Sequence, residues 1–219
     1  INGQFISYSG ERLKQYELGF RSDLFNRTLR FNANVFKGYW EDIQIGEVIV
    51  PGQITTRNGG AAEIQGLEID LLWQATGELV LNLSGGFLDT KYTDLGTTTT
   101  IRLNSEFAYA PSRSYSAGAS YQWPLTSGAA IRLRGDYGWI GDHVTVNDIR
   151  LQKTQDAYGL LSARLAYESA GGQWEVALSG SNLTDEWYQL GGFSASLGGV
   201  DQGVASRPRE FALSVSARF

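Results

Sequence analysis

Arg209-Glu210-Phe211-Ala212-Leu213-Ser214-Val215-Ser216-Ala217-Arg218-Phe219 ends the chain with two chemistries in strict alternation. On an extended backbone successive side chains point to opposite faces. Phe211, Leu213, Val215, Ala217 and Phe219 therefore share one side, and Glu210, Ser214, Ser216 and Arg218 share the other. The same period-2 pattern recurs upstream. Residues 129–140 set Ile131, Leu133, Tyr137 and Trp139 against Arg132, Arg134 and Asp136. Residues 113–123 set Tyr115, Ala117, Ala119, Tyr121 and Trp123 against small and polar side chains. Further strands are predicted over 14–24, 28–39, 62–75, 78–90, 157–168 and 173 to about 190. That makes about nine strands of roughly ten residues or more, the length needed to cross a bilayer at a tilt.

Composition narrows the classes. The 219 residues carry 18 basic and 23 acidic side chains, a formal charge of −5, with the basic residues scattered. That pattern excludes a nucleic-acid groove, and no nucleic-acid partner is expected. Cysteine is absent and His143 is the single histidine, which removes disulfides, thiolate nucleophiles and multi-histidine metal sites. No cofactor is expected. Gly is frequent at 27 and Pro scarce at 4, which suits an all-β chain rich in tight turns. No run approaches the roughly 18 apolar residues of a membrane helix. The chain opens on Ile1 and lacks methionine, so it reads as a processed chain or a fragment.

Connections decide the architecture. Short links near 25–27, 76–77, 124–128 and 169–172 alternate with long ones near 41–60, 91–112, 141–155 and 191–207. A sandwich has no reason to put every long loop at one end, whereas an outer-membrane barrel does. Charged rows such as Arg132-Arg134-Asp136 and Glu68-Asp70 would sit badly in a dry core and well in a water-filled lumen. Trp73, Trp123, Trp139 and Tyr167 lie towards strand ends, where interfacial girdles belong. The alternative to a membrane barrel is a soluble β-sandwich or lipocalin-like barrel with its polar face outward.

Four stretches, in order, resemble the C-terminal half of a TonB-dependent outer-membrane receptor. The first is Tyr16-Glu17-Leu18-Gly19-Phe20-Arg21-Ser22-Asp23-Leu24 with the returning Arg30-Phe31-Asn32-Ala33-Asn34-Val35-Phe36. The second is Asn58-Gly59-Gly60-Ala61-Ala62-Glu63-Ile64-Gln65-Gly66-Leu67-Glu68. The third is Ser181-Asn182-Leu183-Thr184-Asp185-Glu186-Trp187-Tyr188, and the fourth is Pro208-Arg209-Glu210-Phe211 leading to Phe219. The resemblance implies that residues 1–219 are about nine meander strands of a barrel of about 22, with plug domain and TonB box absent from this stretch. It also implies a bacterial outer-membrane location and a lipid environment. The expected role is receptor-mediated active uptake of a scarce nutrient, first of all a ferric siderophore, energised by TonB through the plug. The rival readings are a small complete barrel serving as a passive channel or anchor, and a barrel-borne hydrolase.

The residues carrying the resemblance are read as structural: Glu17, Gly19, Gly66, Glu68, Asn182, Leu183, Asp185, Tyr188, Pro208 and Arg209. Asn182 and Asp185 suit a bend where side chains satisfy backbone groups. Phe211, Leu213, Val215, Ala217 and Phe219 form the stripe expected to be read by the barrel-insertion machinery, with Phe219 also an interfacial anchor. Asp142-His143 invites a catalytic dyad, but neighbours on an extended chain diverge and no Gly-x-Ser-x-Gly elbow is present. The chain is read as a receptor and not an enzyme. Tyr92, Trp187, Tyr188, Arg57 and Arg102 lie near loop bases, and no constellation among them selects a ligand. The Thr97–Thr100 run and residues 191–203 read as loops, and residues 4–8 as a candidate tenth strand.

Overall fold

The computed structural model describes residues 7–50, 53–96, 100–195 and 200–218. Nine long strands form one antiparallel sheet: β1 (Arg12–Leu24), β2 (Leu29–Glu41), β5 (Ala61–Gln74), β6 (Leu79–Asp94), β7 (Arg113–Pro124), β8 (Ala130–Ile140), β11 (Tyr158–Glu168), β12 (Trp174–Ser181) and β15 (Glu210–Ala217). Their order in the sheet is their order in the chain, so the wall is a pure meander. Three short hairpins stand apart from it: β3 (Gln44–Val50) with β4 (Gln53–Asn58), β9 (His143–Val144) with β10 (Thr154–Gln155), and β13 (Gln189–Ala195) with β14 (Val200–Ala205).

Register settles which residues share a face. Leu18 pairs with Val35, Val35 with Leu67, and Leu67 with Phe87. Further round, Tyr121 pairs with Leu133, Leu133 with Leu165, Leu165 with Leu178, and Leu178 with Leu213. An unbroken apolar surface thus runs from β1 to β15, and it is bare: Leu18 is 74% exposed, Phe20 57% and Leu213 72%. A surface of this extent is untenable in water and natural in hydrocarbon. The other face carries Asp23–Arg30 at 2.9 Å, Arg164–Glu175 at 2.8 Å and the Arg132–Glu168 pair. Ser84 and Ser116 meet there at 2.8 Å. This is the wet inner wall of a barrel segment. Among the described residues no helix is long and apolar enough to cross a membrane, so the crossing is by strands.

The four short links are tight turns at one end. Phe25, Asn26 and Arg27 are all left-handed (φ 51°, 55° and 68°), closed by Thr28 N–H donating to the Phe25 carbonyl at 3.1 Å. Thr76 Oγ1 accepts from the N–H groups of Glu78 and Leu79, both at 3.1 Å. Trp73, Trp123 and Tyr167 lie at this end on the apolar face. Trp139 lies at the opposite end, stacked on Tyr115 with centroids 4.6 Å apart.

Three sequence expectations need correction. The strand predicted from 173 to about 190 stops at Ser181, where Asn182 (φ 48°) and Asp185 (φ 57°) turn the chain out of the sheet. Residues 191–203, read as a loop, belong mostly to the β13–β14 hairpin. The long links at 41–60 and 141–155 carry hairpins too. Period 2 cannot distinguish a strand inside the wall from one that leaves it. Of the candidate strand at 4–8, residues 4–6 lie outside the described residues and Ser7 and Tyr8 are not in a strand. Thr97–Thr99 and Phe219 also lie outside them.

Two expectations follow. Leu83→Arg, on the lipid face between Leu71 and Ala117, should cost about 2–4 kcal/mol in a reversible bilayer-folding titration. Ser120→Arg on the inner wall should cost far less; equal losses would mean the faces are assigned the wrong way round. Separately, β1 and β15 each keep one edge unpaired among the described residues. The isolated 219-residue chain should therefore self-associate in detergent, and a monodisperse, heat-resistant monomer by light scattering would contradict this.

Candidate functional site

The large buried apolar side chains gather above the sheet, at the end of the long loops, while the buried Ala129, Ala130, Ala166 and Ala177 lie in or beside the wall towards the short turns. Ile43, Ile45, Ala62, Tyr92 and Ile101 form one cluster, with Trp40, Leu95 and Phe107 packed against it. Trp40 and Tyr92 keep the inner-face parity of their strands, since Trp40 pairs with Ala62 and Ala62 with Tyr92. Both rings therefore reach into the mouth of the wall. There they meet Phe107, with centroids 5.9 Å from Trp40 and 4.7 Å from Tyr92. Ring pairs at these spacings add attraction beyond area burial.

Gly60 sets where this cluster begins. Its φ of +100° is left-handed, and a Cβ there would lie 2.1 Å from the Asp94 carbonyl oxygen. Only glycine lets β4 turn into β5 so close to the end of β6. The hairpin is anchored by Asn58, whose Nδ2 donates to the Ser9 carbonyl at 3.0 Å and to the Asp42 carbonyl at 2.7 Å.

Loops are tied to one another through their backbones. Ile149 N–H donates to the Thr100 carbonyl at 2.8 Å, Tyr109 N–H to Val144 at 2.9 Å, and Ala108 N–H to Asn147 Oδ1 at 2.6 Å. Thr145 Oγ1 donates to the Gly192 carbonyl at 2.7 Å, and Gln189 N–H to Gln155 Oε1 at 2.8 Å. The result is a pre-ordered cap and not a set of independent loops.

A cavity of about 480 Å³ opens in this cap, lined by Trp40, Ile43, Gln44, Ile45, Tyr92, Ile101, Phe107, Asn147, Asp148 and Leu151. Its apolar walls and few amides suit a flat or aromatic ligand part. Burial pulls the Asp148 carboxyl up, but the Arg150 side-chain and backbone hydrogen bonds outweigh it and hold the group below its usual range. Arg150 Nη2 approaches Asp148 Oδ2 at 2.7 Å. A larger hollow of about 780 Å³, lined by Glu17, Arg21, Asp23, Arg30, Glu68 and Asp70, is the curved inner wall itself, open because the sheet is open.

The residues singled out in the sequence fall into two groups at opposite sides of the sheet. Glu17, Phe36 and Gly66 form one cross-strand row, and Gly19, Asn34 and Glu68 the next. Gly66 is sterically required: a Cβ would sit 2.6 Å from both Phe36 Cζ and the Phe87 carbonyl oxygen. Gly19 is under no such demand, its nearest neighbour being Asn34 Oδ1 at 3.6 Å.

The second group closes β12 and opens β15. Asn182 Nδ2 donates to the carbonyls of Glu186 (2.8 Å) and Arg207 (3.1 Å), and its Oδ1 accepts from Glu186 N–H at 2.8 Å. Asp185 Oδ1 accepts from Arg209 N–H at 2.9 Å, and Arg209 Nη1 donates to the Leu183 carbonyl at 3.3 Å. Leu183 N–H reaches the Leu161 carbonyl at 2.8 Å. Tyr188 stacks on Tyr158 at 4.1 Å, and Pro208 lies just before β15. Phe211, Leu213 and Val215 are exposed on the lipid face, with Ala217 below them opposite Trp174.

Of the loop-base aromatics, Tyr92 is 2% exposed within the cap and Trp187 is exposed. His143 is 7% exposed, with Nδ1 2.9 Å from the Gly141 carbonyl, a packed residue at the start of the short strand β9. Phe107, Trp40, Ile43 and Ile45 escaped sequence reading. Their only signal was apolar residues within segments otherwise read as loop.

Wall, wet interior and looped mouth define a segment of an outer-membrane β-barrel. A family model described as TonB dependent receptor-like, beta-barrel, matches residues 2–183, and the chain belongs to this family. Barrels of the family reside in the outer membrane of Gram-negative bacteria. Among solved structures, the ferric yersiniabactin uptake receptor FyuA from Yersinia pestis superposes with a TM-score of 0.78 at 18% identity, covering 95% of this chain and 30% of that one. The siderophore receptor PiuA from Acinetobacter baumannii gives 0.72 at 18%, covering 98% and 30%. The ferric-catecholate import receptor Fiu from E. coli K12 gives 0.70 at 17%, covering 97% and 28%. The chain thus spans about 30% of the length of the first of these receptors.

Phe107→Ala should loosen the cap by up to about 3 kcal/mol and expose residues 95–112 to limited proteolysis, with the wall strands still protected. The Asp148 contribution behaves differently. Because its folded pKa lies below the ordinary 3.8, its contribution is complete above that value and fades as pH falls through the lower one. Protection of residues 145–151 in hydrogen exchange should then hold at pH 5 and drop only below about 3.8.

Proposed function

We propose that this chain forms the C-terminal part of the barrel of a receptor that imports a ferric siderophore across the outer membrane. The observation carrying the reading is the family match, joined to an aromatic cavity at the looped mouth. The names of the superposed receptors refer to ferric yersiniabactin, siderophores and ferric catecholate, which supports the choice of cargo. Transport by the whole protein would use a plug and TonB, which pulls on that plug. The barrel wall supplies a sealed backbone, a wet lumen and the selective mouth. Nothing in this role calls for covalent chemistry, and the chain is proposed to be a receptor and not a hydrolase.

The C-terminal strand has a second proposed duty. Phe211, Leu213, Val215, Ala217 and Phe219 would be the stripe that the insertion machinery accepts by strand addition.

The test is uptake of radiolabelled iron supplied on a panel of chelators, in iron-starved cells carrying or lacking the intact gene. We expect uptake of one chelator class to vanish with the gene or with TonB, and Trp40→Ala to raise the half-saturation concentration about tenfold. Uptake that survives loss of TonB would point to passive diffusion instead.

A further inference from the structure

The cavity at the mouth includes a hydrogen-bond donor that the protein leaves unused. Tyr92 lines it and is 2% exposed, yet its hydroxyl has no hydrogen-bond partner among the described residues. The polar groups nearby are engaged with backbone: Thr90 Oγ1 accepts from Phe107 N–H at 3.0 Å, and Asn147 Oδ1 from Ala108 N–H at 2.6 Å. That leaves Asn147 Nδ2, which also lacks a partner among the described residues. A phenol is protonated at neutral pH, so Tyr92 can donate. Folding has already stripped this hydroxyl of water. An acceptor brought by a ligand therefore gains more there than on an exposed phenol.

Charge narrows what that ligand can be. Among the described residues no Lys, Arg or His lines the cavity, and Asp148 is its one carboxylate. Arg150 keeps that carboxylate ionised, with Nε and Nη2 on its two oxygens at 3.0 and 2.7 Å. The guanidinium thus already faces a carboxylate of its own. The surrounding links add no surplus of cations. Over residues 41–60, 91–112, 141–155 and 191–207, six Lys and Arg stand against eight Asp and Glu. An anion entering the cavity meets Asp148 and no opposing charge on the lining, in a place where salt screens little. Trp40, Tyr92 and Phe107 meanwhile offer apolar wall.

We propose that Tyr92 is a specificity-determining residue, and that this cavity selects an uncharged, amide-bearing ferric chelate whose carbonyl oxygen accepts the Tyr92 hydroxyl. Three hydroxamates cancel the charge of ferric iron, whereas three catecholates leave the complex triply anionic. The neutral complex brings carbonyl acceptors for Tyr92 Oη and Asn147 Nδ2, and methylene linkers for the apolar wall. The trianionic complex brings charge that Asp148 repels. Selection is by what the pocket refuses as much as by what it holds. The inference rests on the siderophore-receptor reading and narrows its cargo to one charge class.

The test is equilibrium binding of radioiron-labelled chelates to outer-membrane vesicles from cells carrying the intact gene, with cells lacking it as the blank. The probes are a neutral ferric trihydroxamate of a cyclic peptide and a trianionic ferric tris-catecholate of similar size. We expect the wild type to bind the neutral chelate about tenfold more tightly than the trianionic one. Y92F should weaken neutral-chelate binding about three- to tenfold, the worth of one hydrogen bond, with residues 95–112 at least as resistant to protease as before. A ring needed only for packing would leave the affinity of Y92F unchanged. D148N leaves Arg150 facing a neutral amide and should raise affinity for the trianionic chelate several-fold. Heat-modifiability of each variant confirms a folded barrel. Equal or tighter binding of the trianionic chelate by the wild type, or no gain in D148N, overturns the proposal and leaves the siderophore reading standing. Unchanged affinity in Y92F likewise overturns it, the hydroxyl then being served by water. Binding of neither chelate defeats the siderophore reading and the proposal with it.

Discussion

Hydrocarbon offers no partner for a backbone N–H or C=O, and the rest of the molecule follows from that. Each wall strand must pair along its whole crossing with the one before and the one after. The gap-free registers Leu24–Leu29 to Arg12–Glu41 and Pro124–Ala130 to Ser114–Ile140 are the direct result. Once pairing is fixed, side-chain direction is fixed too, because a slip of one residue would turn Leu83 inward and Ser84 out to lipid. The hydrophobic effect then acts as an editor of the outer face. Large apolar side chains pack together in the cap, where water is present on the outside and Tyr92, Ile101 and Phe107 have something to escape from.

The wall was legible in the sequence because two constraints of different origin coincide in it. Ladder geometry imposes period 2, and the lipid–lumen contrast colours that period in at nearly every position, as in Arg132-Leu133-Arg134. Short turns were equally plain, since few residue types tolerate the left-handed backbone of Asn26 or Gly128. The cap was not legible. Ile43 and Ile45 alternate as wall residues do, yet they bury against Tyr92 and Ile101 from elsewhere in the chain. Local pattern carries no record of such partners. The misplaced end of β12 has the same cause: Trp187 and Tyr188 extend an apolar look past Ser181, and only the hydrogen bonds of Asn182 show that the strand has ended.

The resembling motifs also divide by physics. Gly66 is held by sterics, since Phe36 lies across it. Asn182 and Asp185 are held by hydrogen bonding, because the turn they make would otherwise leave the N–H groups of Glu186 and Arg209 without acceptors. Glu17 and Glu68 line open space on the inner wall, where Glu17 accepts a hydrogen bond from Gln15 Nε2 on the same strand.

The three hairpins each leave and rejoin the wall between neighbouring strands, at the same end. A change in hairpin length therefore alters nothing in the ladder beneath it, provided the two attachment residues keep their phase. The barrel behaves as a socket whose fittings can be exchanged. Residues and whole turns can therefore be exchanged at the mouth without disturbing a single pairing in the membrane-embedded ladder.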